Sequence, residues 1–158
     1  MKRREWLIAS GAFVAMSATP RAFAHHGWSS FDESKPLYFE GKIKSVKWQN
    51  PHAELVVTLD GNAKLPANLA ARAVPKQSAS VDGAKIFATA ALPKRKGDWN
   101  VELAPLTRMD AWKVEPLKAG DTFQGIGFTY KDEQGAQVTR IEYLFAGDRV
   151  YGLRSSPM

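Results

Sequence analysis

The chain has three histidines, and two of them, His25 and His26, stand side by side directly after the small-x-small triplet Ala22-Phe23-Ala24. Signal peptidase reads such triplets. A cut after Ala24 makes His25 the first residue, with an imidazole and a free α-amine on one backbone, and the two together form a chelate. The amine has an ordinary pKa of about 7.7 to 8.0, so a metal displaces its proton at little cost near neutral pH. His26 adds a second imidazole, and the amide nitrogen between the amine and that ring is a further donor for Cu(II). Nitrogen ligands in a flat set favour Cu(II) over the other divalent metals, by the Irving-Williams order and by tetragonal geometry.

His52, in "QNPH", is the remaining imidazole. It could complete a histidine brace, in which the amine and ring of His25 are joined by a second ring. Asp32 and Glu54 are the nearest carboxylates in sequence and are candidates for an open coordination position or for steadying a ligand. Each feature also has a plainer reading. A histidine pair at a chain end can sit in water without a task. A histidine beside Asn-Pro at a strand start often fixes the turn through its two ring nitrogens.

The residues ahead of the histidines have the layout of an export signal. "MKRREW" is basic, "LIASGAFVAMSAT" is an apolar run of about a dozen residues, and "PRAFA" closes it. Residues 1–24 therefore read as a cleavable signal, and "RREWL" with Arg21 near the cut is similar to twin-arginine signals, although Sec signals also hold adjacent arginines. Either route leads out of the cytoplasm, and the expected location is the periplasm. The run is short for a membrane of ~30 Å hydrocarbon, and no later segment reaches the ~18 apolar residues of a spanning helix. The expected mature chain is soluble and has no transmembrane segment.

Removing Lys2, Arg3, Arg4, Arg21 and Glu5 with the signal leaves 18 basic and 15 acidic residues, a net charge of +3 in place of +6. Much of the basic character belongs to the signal, and a nucleic-acid partner loses its main support. The remaining charges are mixed, with a small cluster at Lys94, Arg95 and Lys96 that reads as a solvated loop. The absence of cysteine excludes thiolate metal sites, disulfide exchange and cysteine nucleophiles. A chain of this size buries about two thirds of its unfolded surface and needs no disulfides to fold.

These residues must be positioned by a small β domain. "LYFEGKIKSVKW" alternates with Leu37, Phe39, Gly41 and Ile43 in one phase and Val46 and Trp48 in the other, which predicts a strand with a bulge near Lys44 and Ser45. "QNPH" is a turn and "AELVVTLD" a second strand, so His52 falls where that strand begins. Residues 61–95 are rich in alanine and leucine and predict two short helices in an insertion. "WNVELA" returns to strand. "PLTRMDAW" makes about two helical turns with Pro105 at the first position. "TFQGIGFTYK" and "VTRIEYLFA" form a hairpin, and "RVYGLRS" adds a strand. Gly125 and Gly127 suit tight curvature or close backbone approach. The expected fold is mainly β: a single small OB-like or related curved β-barrel over 37–158, preceded by a connector over 25–36.

Catalytic patterns are missing. There is no G-x-S-x-G elbow, P-loop, G-x-G-x-x-G or H-E-x-x-H. Trp28, Phe31, Tyr38 and Trp48 could line a ligand groove of the OB type or could pack the core and rim. The two function classes in play are a metal-binding protein and an interaction module for a periplasmic protein or a glycan, the latter with structural histidines.

The stretch "AHHGWSSFDESKPLYFEGKIKSVKWQNPHAELVV" resembles a domain-of-unknown-function family of small exported bacterial proteins. The shared features are a post-signal His-His, an F-D-x-x-K-P-like connector, a G-x-[IV]-x-x-[VF]-x-W strand and an N-P-H turn, with "LKAGD" matching downstream. The resemblance implies that His25, His26, Asn50, Pro51 and His52 occupy motif positions of one shared site. It brings no activity with it. Residues 61–95 depart from the pattern as longer than the usual connection.

Overall fold

The computed structural model describes residues 27–158. The predicted export signal, His25 and His26 lie outside the described residues. Six strands carry the fold: β1 (Leu37–Lys47), β2 (Glu54–Leu59), β3 (Gly97–Glu102), β4 (Thr122–Thr129), β5 (Val138–Ala146) and β6 (Arg149–Gly152). Two short helices accompany them, α1 (Gly83–Thr89) and α2 (Leu106–Ala111).

The sheet order is β3-β2-β1-β4-β5-β6, and a parallel pairing of β3 with β5 closes the first five strands into a barrel. The other pairings between these strands are antiparallel. With α2 lying between β3 and β4, this is the barrel architecture that the strand pattern predicts. The closing pair joins Asn100–Glu102 of β3 to Val138–Arg140 of β5.

The alternation of β1 sets its inner face, where Leu37, Phe39 and Ile43 are buried in the main core. The register on β2 then slips between Ile43 and Ser45, at the predicted bulge. The slip changes the phase, so Val46 and Trp48 pack against the same core. Leu55, Val57, Trp99, Val101, Phe123 and Ile141 complete the inward set from the other strands, and Met109 of α2 plugs one end. Phe39 meets Trp99 edge-on at 5.2 Å between centroids, a favoured aromatic geometry.

The insertion between β2 and β3 covers the outer face of β4 and β5. Phe87 of α1 packs on Tyr143 and Phe145 at 4.9 and 5.8 Å. Asp82 caps α1 by accepting from the Lys85 amide. The other predicted helix of the insertion reduces to a single 3₁₀ turn, Leu69–Ala71. Pro66 and Pro75 bracket that stretch and limit any helix there to about two turns. Pro105 sits at the N-cap of α2, one residue before its predicted place.

The charge cluster also differs from the reading as a solvated loop. Arg95 donates to the backbone oxygens of Glu133 and Gly135 at 2.8 and 2.7 Å. The Glu133 carboxylate in turn accepts from the amides of Lys94 and Arg95. The segment is a bracket between the insertion and the β4–β5 connection, with Lys94 and Lys96 exposed.

Candidate functional site

His52 lies in the connection between β1 and β2, where the Asn50–Pro51 peptide is cis. Ala53 extends the β2–β3 ladder beyond Glu54, exchanging backbone hydrogen bonds with Ala104 and Leu103. That ladder fixes the backbone next to His52. The ring is largely buried, 12% exposed, and its Nδ1 stands 3.5 Å from Glu54 Oε1. At that separation the carboxylate is an electrostatic neighbour of the ring and not its hydrogen-bond acceptor. Lys47 Nζ approaches the other oxygen of Glu54 at 3.7 Å.

Glu54 belongs to a row of side chains across the outside of the barrel. It is directly opposite Glu102 on β3, which is directly opposite Arg140 on β5, which is directly opposite Phe128 on β4. Directly paired residues share a face of the sheet. Arg140 donates to Glu102 Oε2 from Nε at 3.0 Å and from an Nη at 2.6 Å. Its guanidinium also lies over Phe31 at 5.0 Å and over Trp28 at 5.4 Å.

Trp28 therefore touches the same face as His52, two strands away. A second guanidinium, Arg154, covers its ring at 3.9 Å, and Phe128 meets it edge-on at 6.4 Å. Arg154 is fixed by Glu142, through Nε and an Nη both at 2.7 Å, and by Glu33 at 2.8 Å. Glu142 is fully buried, and Gln77 of the insertion donates to its other oxygen at 3.1 Å. Burial pushes the Glu142 carboxyl up, against the pull of Arg154 and Gln77.

Of the sequence-predicted carboxylates, Glu54 is brought to His52 and Asp32 is held elsewhere. The Asp32 carboxylate accepts from the amide and hydroxyl of Ser34, and its own amide donates to Thr129. The four aromatic residues weighed as groove lining are packing residues. Tyr38 and Phe31 are buried, Trp48 packs on the main core, and Trp28 packs on the small cluster of Phe31, Phe128 and Val138. Among the described residues no group of three or more His, Asp or Glu side chains is arranged to hold a metal.

Glu102, Arg140, Glu142 and Arg154 escape the sequence reading. One signal was there: Arg140 and Glu142 are the charged positions of the otherwise apolar strand "VTRIEYLFA". Their partners are distant in sequence, so the charge pattern alone does not name them.

The closed five-stranded barrel with its helix between the third and fourth strands makes this a small OB-like β-barrel protein. The chain belongs to a family of unknown function (DUF6152), whose model matches residues 13–99. That match spans the residues on either side of the predicted cleavage point, the connector, β1, the turn with His52 and the insertion. Residues 61–95 lie inside the matched region and "LKAGD" lies outside it. No curated protein and no solved structure matches the chain.

Proposed function

We propose that this is an exported, periplasmic protein that binds Cu(II) through the amine and ring of His25, with His26 or His52 as the second imidazole. Its task is to hold or pass the metal, with no enzymatic step. The observation that carries the reading is the largely buried His52 ring, its Nδ1 at 3.5 Å from Glu54 Oε1, on the barrel face that also seats Trp28. A carboxylate beside an imidazole is a frequent companion of a ligand histidine. Placement of His25 directly after Ala22-Phe23-Ala24 supplies the chelate.

The test is a Cu(II) titration of protein beginning at His25 against protein with one alanine added ahead of it. The addition moves the amine off the histidine and breaks the chelate, so affinity falls by about a hundredfold or more, equivalent to ~2.8 kcal/mol. Unchanged affinity rejects the chelate.

A specific feature favours a second reading, an interaction module for a protein or a glycan. A cavity of about 270 Å³ opens on the outer face of β1, β2 and β3, with Val46, Lys47, Glu54, Val56, Asn100 and Glu102 in its lining. This is the face on which OB-type barrels take their ligands. In that case the purified protein carries no metal, and His52→Ala lowers the melting temperature equally with and without Cu(II).

A further inference from the structure

We infer that the groove on the outer face of β1, β2 and β3 docks an extended peptide segment of a partner protein, taking a basic side chain between Glu54 and Glu102 and an aliphatic one, two residues along, beside Val56. The inference deepens the interaction-module reading above, on which it rests, and stands apart from the Cu(II) reading.

Two rows of side chains shape the groove. Lys47, Glu54 and Glu102 are successive partners across β1, β2 and β3, and Arg140 of β5 ends the row. Two residues along the strands, Ser45, Val56, Asn100 and Val138 form the second row. All of these except Arg140 line the cavity of about 270 Å³. Leu55 and Val101, between the rows, point into the main core, so the rows themselves look outward.

The first row sets the charge of the ligand. Glu54 and Glu102 stand directly opposite each other on adjacent strands, a placement that is unfavourable for like charges. Their cations flank them and do not come between them. Arg140 binds Glu102 through Oε2 from the β5 side, and Lys47 approaches Glu54 from β1. The contacts of Glu54 with Lys47 at 3.7 Å and with His52 at 3.5 Å are both longer than the ~2.7 to 2.9 Å of a charge-assisted hydrogen bond. Glu102 Oε1 accepts no hydrogen bond from the described residues and is not sealed from solvent. An incoming ammonium or guanidinium group therefore meets two carboxylates with acceptor capacity left.

The second row sets what accompanies the cation. Val56 is partly buried, and Val138 is buried against Phe31 at the far end. An aliphatic side chain gains by covering Val56, and the exposed amide of Asn100 beside it can both donate to and accept from a peptide backbone. Among the described residues no aromatic ring lines this cavity. Nucleobases, which stack on aromatic faces, and sugar rings find no platform there.

Spacing joins the two demands. On one face of an extended chain the side chains recur every second residue, about 6.6 to 6.8 Å apart, and the two rows are separated by the same two-residue step. A peptide lying along the β2–β3 seam thus sets Lys or Arg over the carboxylates and Val, Ile or Leu over Val56. Either chain direction does so, which makes the recognised pattern basic-x-aliphatic or its reverse. A small amine reaches the first row alone.

The experiment titrates the isotope-labelled exported protein with two synthetic peptides, acetyl-Thr-Ser-Arg-Thr-Ile-Ser-Thr-amide and acetyl-Thr-Ser-Ile-Thr-Arg-Ser-Thr-amide, and follows backbone amides by nuclear magnetic resonance. The inference expects saturable shifts at residues 45–47, 54–56 and 100–102 with at least one of them. Exchanging the peptide's Arg for Glu, or its Ile for Ser, weakens binding by about fivefold or more. Glu54→Lys reverses the preference toward the Glu peptide, and Val56→Thr reduces the preference for Ile over Ser. The peptide exchanges decide the matter even if a protein variant fails to fold.

No shift at those amides with either peptide, or binding indifferent to both Arg and Ile, overturns the inference. Cellopentaose and chitopentaose added to the same sample then separate it from the broader reading. Shifts in the groove with a sugar keep the interaction module with a glycan as its partner, while silence with every probe removes that reading from this face as well.

Discussion

Arg140 holds Glu102 by two nitrogens on one carboxylate oxygen, at 3.0 and 2.6 Å, across the parallel pairing of β3 with β5. The pair ties β3 to β5 where the barrel closes, and both side chains are mostly buried, 12% and 15% exposed. The same guanidinium supports Trp28 and Phe31. One side chain thus joins barrel closure to the seating of the N-terminal segment.

Arg140→Ala leaves the Glu102 carboxylate without its main partner in a poorly solvated place. Removing one member of a buried pair costs about 3 to 5 kcal/mol, and partial exposure puts this case near the low end, about 3 kcal/mol. Urea denaturation of the variant against the wild type measures the loss. A change under about 0.5 kcal/mol would place the pair among inconsequential surface contacts.

The pH dependence of stability carries the mark of Glu142. Burial raises its carboxyl above the ordinary 4.5 in the folded protein, while Arg154 and Gln77 oppose the shift and Glu33 adds to it. Above pH 4.5 the folded state therefore keeps a proton that the unfolded chain has lost, and Glu142's contribution to stability falls as pH rises through the folded value. Asp98 acts in the opposite sense. The hydrogen bond from Lys44, then that from Thr58, lowers its pKa, so its contribution is lost as pH falls through the depressed value. Subtracting the stability profile of Glu142→Gln from that of the wild type isolates the first effect. The difference should decline with rising pH above 4.5, and a difference that climbs instead would reverse the assignment.

At Gly127 the backbone of β5 lies close against β4. A Cβ there would meet the Arg140 carbonyl oxygen at 2.5 Å and Thr139 Oγ1 at 2.7 Å, beside the register slip between Ile126 and Gly127. The clash is with backbone, which cannot turn aside. Gly127→Ala should cost about 1 to 3 kcal/mol, read as a lower denaturation midpoint at unchanged slope.

Local features of this fold were legible in the sequence because local rules produce them. The change of phase after Ile43 located the bulge, and the β-branched and aromatic run "VTRIEYLFA" marked β5 over its full length. The turn chemistry of "QNPH" put His52 at the start of β2. The shortened helix near Leu69 was missed because alanine-rich composition favours helix while the flanking prolines limit it. The role of Arg95 was missed because its carbonyl partners, on Glu133 and Gly135, lie in another connection. The row from Glu54 to Arg140 exists only once β3 pairs with β5, a long-range event with no local signature. Trp28 likewise reads as one more aromatic residue until the folded chain places two guanidinium groups on it.

Native mass spectrometry of the exported protein tests the central claim most directly, since one spectrum reports both the processed N-terminus and any retained metal. The account predicts a chain that begins at His25 and keeps one copper ion after desalting. A chain cleaved elsewhere, or one that begins at His25 yet refuses added Cu(II), would contradict it.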